Sequence, residues 1–303
     1  MLYTVTLNPS LDYYLKVNNM TFGAVTRAAS ERLTLGGKGI NVALELKALD
    51  DKAEAFAFVG GFTGREIERE ARKMRLPHTF LEVDGRSRIN VKIKTIAETD
   101  INGTGIIIKS ADLKRLANAM KEKLKEGDWV IISGSAPCEL KDRTYLTLIG
   151  ELKEVGNINF VVDSHGKLLT ETLKHRPFLI KPNLYELCEI FSLQPTINTK
   201  VITAHARKLQ KWGARNVIVS LGSDGAVMVT ETDTAMYVRA ARGQLVNSVG
   251  AGDCMIAGFI HEYIKTGNYF KSLNFATAAG SACAFTEGIA TKEQINDVES
   301  MML

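Results

Sequence analysis

Residues 111–135 read "ADLKRLANAMKEKLKEGDWVIISGS" and hold the pattern that decides the fold. The first part, to Gly127, is amphipathic at helical spacing and stops at a glycine. The second part is a short apolar strand that runs into a loop of small residues. The same unit recurs on both sides. "ITAHARKLQKWG" precedes the strand "NVIVSLG". "LYTVTL" ends at the turn signal Asn8-Pro9, and "AEAFAFVGG" leads into the polar helix "GREIEREARKM". "NFVVDSHGK" and "FLIKPN" each join an apolar run to a polar end, and two long helices start near Gly252 and Phe270. This alternation predicts an α/β fold, an open and mostly parallel sheet with helices on both faces. Residues 13–34 and 86–108 break the rhythm with β-rich alternation, and they predict extra strands that form a small β lid. Without repeats or a linker, residues 1–303 read as one domain carrying that lid.

Composition narrows the class. The chain is 45% hydrophobic and 24% charged, with a formal net charge of +4, the balance of a globular domain able to meet anionic small molecules. No basic stripe interleaved with aromatics argues for nucleic acid. The start lacks a basic stretch followed by an apolar one, and "FATAAGSACAF" is too short to span a bilayer, which takes ~20 residues. Cys138, Cys188, Cys254 and Cys283 form no C-x-x-C pair, so buried reduced thiols and a cytoplasmic setting are expected.

Ligands in such sheets bind beyond the carboxyl ends of the strands. There the sequence places Asn8 and Asp12, "GG" at 60–61, "SGS" at 133–135, Asp163, "KPN" at 181–183 and "SLG" at 220–222. In "NSVGAGDCMIAGF" (247–259) the small residues Gly250, Ala251 and Gly252 open a helix, with Asp253 behind them. Free amides at a helix mouth suit a phosphate. "GGKGIN" (36–41) fits neither the dinucleotide nor the P-loop pattern. Its glycines suit a close approach to a ligand or a tight turn into a helix, and both readings stand. "KPNLYE" sets Asn183 and Glu186 three apart, which suits magnesium held with phosphates or a capping box. "SLGSDGA" (220–226) is a hairpin turn or a nucleotide edge. Arg27, Arg88 and Lys92 are solvated charges or a clamp for a sugar phosphate.

Seven stretches, in this order, resemble the PfkB family of ribokinase-like carbohydrate kinases: "TLNPSLD", "GGKGINVA", "RINVKI", "SGSAP", "KPNLYEL", "SLGSDGA" and "NSVGAGDCMIAGF". Lys38 in "GGKG" and Arg88 in "RINVKI" point to the branch that acts on phosphosugars. The resemblance implies roles. Asp253 is the base, with Gly250, Ala251 and Gly252 as the anion hole. Asp12, Gly37, Lys38 and Asn41 hold the sugar, and Arg88, with Arg27, meets its phosphate. Lys181, Asn183, Ser220, Gly222, Gly225, Gly250 and Gly252 meet ATP. Asn183 and Glu186 organise Mg2+, and a monovalent cation has a place near the carbonyls around Asn247 and Val249. The positive helix end is expected to keep Asp253 ionised.

The implied reaction is ATP-dependent phosphorylation of a ketohexose phosphate, foremost fructose 1-phosphate to fructose 1,6-bisphosphate. Tagatose 6-phosphate is the nearest alternative. A non-catalytic sugar-phosphate sensor and a nucleoside kinase stand further off, and a homodimer through the lid is implied. The chain departs from the family pattern in "GSAPCEL", which lacks the leucine before Pro137 and the glycine at 139. It also has Ser87 for threonine, Asn247 for aspartate, and Asp50-Asp51 in place of a leucine–glycine turn.

Overall fold

The computed structural model describes residues 1–303 except Phe22, Ala97 and Leu303. Positions 22 and 97 fall within the segments expected to form the lid, and they lie outside the described residues. The strands are β1 (Leu2–Thr6), β2 (Ser10–Lys16), β3 (Ser30–Gly36), β4 (Ala53–Val59), β5 (His78–Glu82), β6 (Arg88–Lys94), β7 (Glu98–Asn102), β8 (Trp129–Ser133), β9 (Asn159–Asp163), β10 (Leu179–Ile180), β11 (Asn216–Ser220), β12 (Ala226–Val229) and β13 (Ala235–Val238). The helices are α1 (Lys38–Ala48), α2 (Gly61–Lys73), α3 (Ser110–Lys121), α4 (Thr144–Leu152), α5 (Gly166–Thr170), α6 (Leu184–Phe191), α7 (Thr199–Trp212), α8 (Ala251–Thr266), α9 (Tyr269–Ala284) and α10 (Lys292–Met302).

The large sheet has nine strands in the order β13-β12-β11-β10-β9-β8-β1-β4-β5. Every pair from β5 to β11 is parallel, and β12 and β13 are added antiparallel at one edge. Side chains alternate across the strands. Val5, Phe56, Ile132, Val162 and Val217 face α3, α4 and α7. Leu2, Ile131, Val161 and Ile218 face α1, α8 and α9. The chain leaves β1 toward β4 on one side and returns later as β8 on the other. Strand order therefore reverses between β1 and β8, and a crevice opens at their carboxyl ends, as in other doubly wound sheets.

A second sheet of four strands, in the order β3-β2-β6-β7, stands over that crevice. Its first strand begins at Ser10, ahead of the expected start at residue 13, because the ladder sets Asp12 opposite Thr34 and Asn90. One face of this sheet carries Ser10, Asp12, Tyr14, Arg88, Asn90 and Lys92. The other carries Leu11, Leu33, Leu35, Ile89 and Ile101. Leu11 and Leu35 pack against α1 and α2, while Leu33, Ile89 and Ile101 remain 41%, 40% and 57% exposed.

Two local expectations change. A third C-terminal helix, α10, follows the two long ones. Helix α1 buries Ile40, Val42, Ala43, Glu45 and Leu46, a broader face than the single apolar stripe at Ile40, Ala43, Leu44 and Ala48 that helical spacing in the sequence picks out. It is wedged between the sheet and α8, so two of its sides are covered. Among the described residues no helix is long and apolar enough to cross a membrane.

Candidate active site

Helix α8 opens at Gly250, whose φ of +88° belongs to the region that favours glycine. The amides of Asp253 and Cys254 both bond back to Gly250 O at 2.9 Å. The Ala251 amide reaches Ser248 O only at 3.4 Å, and the Gly250 and Gly252 amides make no hydrogen bond among the described residues. The helix mouth thus presents free donors on the positive end of the helix. Lys181 Nζ lies 3.1 Å from where a Cβ on Gly252 would stand. A side chain at 252 would push that ammonium away from the mouth.

Asp253 sits behind these donors, 5% exposed, and Oδ2 accepts a hydrogen bond from Asn41 Nδ2 at 2.9 Å. Burial and the negative charge of Asp163 push its carboxyl up to about 7, against the pull of Lys38, Asn41 and Lys181. The expectation that the helix end keeps it ionised is therefore corrected. Desolvation is the larger effect, and near neutral pH the side chain exists in both forms.

Asp163, at the end of β9 and 1% exposed, ties the cluster together. Lys38 Nζ stands 3.3 Å from Oδ2 and Lys181 Nζ 3.4 Å from Oδ1. Among the described residues neither oxygen has a hydrogen-bond partner of good geometry. Both lysines face the carboxylate as charges, free to turn toward an arriving anion. Burial works to raise the Asp163 pKa, but the two lysines hold it below the usual carboxylate range. Burial likewise works to lower Lys38, but Asp163, Asp253 and Glu186 hold it above its ordinary value. The sequence marks Asp163 only as one polar strand end among several. Nothing local distinguishes it, because both of its partners come from distant segments.

The small sheet supplies a second group. Asp12 Oδ1 accepts from Ser10 Oγ at 2.7 Å and from Asn90 Nδ2 at 2.8 Å, and Asn90 Nδ2 also reaches Ser10 Oγ at 3.1 Å. Nothing local in "RINVKI" distinguishes Asn90, and only the register of β2 with β6 sets it opposite Asp12. Arg88 Nε donates to Asn8 O at 3.2 Å. Burial lowers the Arg88 pKa and the charge of Asp12 opposes this, so the two side chains share one environment. "GGKG" joins the two groups. A Cβ on Gly36 would meet Asp12 Oδ2 at 2.6 Å, and one on Gly37 would meet Thr6 Cγ2 at 2.8 Å. These glycines let the turn lie flat on β1 and β2 and aim Lys38 at Asp163. Arg27 is exposed between β2 and β3, and no hydrogen bond or ion pair joins it to this cleft among the described residues.

The third group lies at the ends of β10 and β11. A bridge pairs Asn183 with Ser220, and the Ser220 amide bonds to Pro182 O at 3.1 Å. Gly222 and Gly225 turn the chain back into β12. Asn183 Oδ1 accepts the Glu186 amide at 2.9 Å and Glu186 Oε2 accepts the Asn183 amide at 2.8 Å, a complete capping box at the start of α6. Oε1 of Glu186 takes no part in the box, and the Glu186 charge reaches Lys38. Among the described residues no group of three or more His, Cys, Asp or Glu is arranged to hold a metal ion. This pair fits a cation only through water and alongside phosphate oxygens.

The profile of the pfkB family carbohydrate kinases matches residues 7–296. The chain belongs to the pfkB family of carbohydrate kinases. It is 40% identical over 298 residues to a protein of Bacillus subtilis (strain 168) named 1-phosphofructokinase, covering 98% of this chain and 97% of that one. It is 33% identical over 302 residues to one of Bacillus licheniformis named D-tagatose-1-phosphate kinase, covering 100% and 98%. The crystal structure of phosphofructokinase-2 from Escherichia coli in complex with potassium superposes with a TM-score of 0.91 at 26% identity, covering 99% and 98%. As a pfkB kinase, the chain is a phosphotransferase acting on a carbohydrate. Its ribokinase-like fold accounts for both sheets and for the position of the cleft between them.

Proposed function

We infer that this pfkB kinase transfers the γ-phosphoryl group of ATP to a hydroxyl of a ketohexose phosphate, and that its substrate is fructose 1-phosphate, giving fructose 1,6-bisphosphate. The observation that carries this reading is the buried Asp253–Asn41 pair beside free amides at the mouth of α8. Lys38 and Lys181 flank it, and Arg88 stands at the sugar end. The name of the Bacillus subtilis relative supports the choice of sugar.

In this reading Asp12 accepts sugar hydroxyls through the oxygen that Ser10 and Asn90 leave free, with Gly37, Lys38 and Asn41 beside it. Arg88 keeps its terminal nitrogens for the existing phosphate, and Arg27 would join it only by movement of its loop. Asp253 takes the proton of the attacking hydroxyl. The amides of Gly250, Ala251 and Gly252, with Lys181, stabilise the charge in transit. Positioning and charge make up most of such catalysis. Ser220, Gly222 and Gly225 line the nucleotide. Mg2+ bound with ATP would neutralise phosphate charge, and Asn183 and Glu186 would help to hold it. Glu186→Gln keeps the capping box and removes the charge, so it should fold normally, turn over more slowly and need more magnesium for half its maximal rate. A normal magnesium titration would leave the pair as a cap alone. A monovalent cation near Asn247 and Val249 is supported by the potassium complex of the Escherichia coli relative.

The small sheet acts as the lid of the cleft in this reading, and its exposed Leu33, Ile89 and Ile101 form the contact of a homodimer. Light scattering at micromolar concentration should give twice the chain mass of 33.3 kDa, and Ile101→Glu should halve it. The four cysteines are free and buried, which supports a cytoplasmic setting. ATP consumption with fructose 1-phosphate, tagatose 6-phosphate, tagatose 1-phosphate, fructose 6-phosphate, ribose and adenosine tests the substrate, and fructose 1-phosphate should lead. A tagatose phosphate in front would install the second reading, which the Bacillus licheniformis relative supports. Binding without turnover would make the protein a sensor.

A further inference from the structure

Helices α1 and α8 meet through polar side chains that sit behind the cleft. Asn41 and Glu45 lie four residues apart on one face of α1. Asp253 and Cys254 are adjacent in the first turn of α8. Asn41 Nδ2 donates to Asp253 Oδ2 at 2.9 Å, and the Cys254 thiol donates to Glu45 Oε2 at 3.1 Å. Glu45 and Cys254 are wholly buried. From α8 Glu45 meets the Cys254 thiol, from α9 the Cys283 thiol lies behind it, and ahead of α10 it meets the Ala290 backbone. None of these is a cation. Among the described residues Glu45 Oε1 has no hydrogen-bond partner of good geometry. Burial pushes the carboxyl up to about 7, although the thiol and the backbone favour its charged form.

The polar path continues into the loop before α8. Cys283 Sγ lies 3.5 Å from Gly288 O and 4.0 Å from Val249 O, and 3.7 Å from where a Cβ on Gly250 would stand. A buried carboxyl with an unpaired oxygen weakens the fold, and an apolar side chain of similar bulk would not. A hydrogen bond adds what apolar contact lacks, a fixed direction between two helices.

We propose that Glu45 is a positioning residue for phosphoryl transfer: its bond to Cys254 is the second of two rungs, with Asn41–Asp253, that fix the rotation and height of the first turn of α8 on α1. The rungs act on consecutive residues of one turn. One rung alone lets the turn pivot about Asn41. Two rungs hold Asp253 and the Gly250 and Gly252 amides in one frame. Glu45 touches no substrate and acts only through that frame. The inference rests on the reading of Asp253 as the base.

Glu45→Leu removes the rung and the unpaired oxygen together. It should melt no earlier than the parent, yet lose about 10–100-fold in kcat, the scale of a reacting group displaced by about 1 Å. The Michaelis constants for both substrates should stay within about twofold, because the ground-state contacts remain. Glu45→Gln keeps an oxygen acceptor for the thiol and should recover most of kcat. Cys254→Ala breaks the same rung from the other side, so the double variant should be no slower than the slower single one. If Glu45→Leu does not fold, Cys254→Ala decides alone. A parental kcat in the folded variant, whatever its melting temperature, overturns the proposal. Asp253→Asn is measured alongside: if it too keeps the parental rate, the base reading fails, and if only the rung variants do, this inference fails by itself.

Discussion

Asp253→Asn is expected to fold, to bind both substrates, and to turn over ~10²–10⁴-fold more slowly, the usual worth of a general base. The amide keeps the size of the carboxyl and can still meet Asn41, but it cannot take a proton. The parent's kcat/KM should rise with pH through a limb near 7, where Asp253 loses its proton, and the variant should lack that limb. Stability should move the other way. The carboxyl binds its proton more tightly in the folded chain than in the unfolded one, where it titrates near the usual aspartate value. Between those two pH values the folded state holds more protons, so stability falls as pH rises, and above about 7 the full penalty is present. The variant lacks the penalty. It should melt higher than the parent at pH 8, with the gap closing toward pH 4. An early-melting variant with a parental rate would reduce Asp253 to a residue of the helix start.

Arg88→Ala should raise the Michaelis constant for the sugar phosphate by about 30- to 5,000-fold, which corresponds to about 2–5 kcal/mol for a lost partner of a buried charged contact. The constant for ATP should change little. Arg88 begins β6 on the small sheet, across the cleft from the strand ends that carry Lys181 and Ser220. Its Nε holds Asn8 O, so the side chain is already aimed before a ligand arrives. Equal weakening of both substrates would mean that the Asn8 contact, which joins the small sheet to β1, is the residue's real work.

Much of this was legible in the chain. Alternating strands and helices gave the large sheet, and strand ends pointed to the cleft, because the periods of helix and strand are local properties. Asp253 and the "KPN" of 181–183 stand at a helix mouth and a strand end that are legible locally, whereas Lys38 enters only through the resemblance of "GGKG" to the family. What escaped depends on pairing across the fold. Asp163 gains its meaning from Lys38 and Lys181, and Asn90 from facing Asp12. Glu45 looks like a polar break in a helix until α8 covers it. The ionisation of Asp253 is not legible in the chain, because a helix mouth is visible in sequence and the depth of its burial is not. Asn183 and Glu186 fit two descriptions, of which their own spacing favours the cap, and the structure displays the capping box while leaving Oε1 of Glu186 out of it.

The two sheets divide the cleft by origin. Asp12, Asn90 and Arg88 stand on the small sheet, whereas Asp163, Lys181 and Asp253 belong to the large sheet and its helices. If the proposed roles hold, most of sugar choice and the phosphoryl chemistry can be inherited separately. In that reading a relative that acts on another sugar would differ mainly in strands β2, β3, β6 and β7 and in the turn that carries Gly37, Lys38 and Asn41, and grafting those segments from one pfkB kinase onto another amounts to exchanging the glove while keeping the hand.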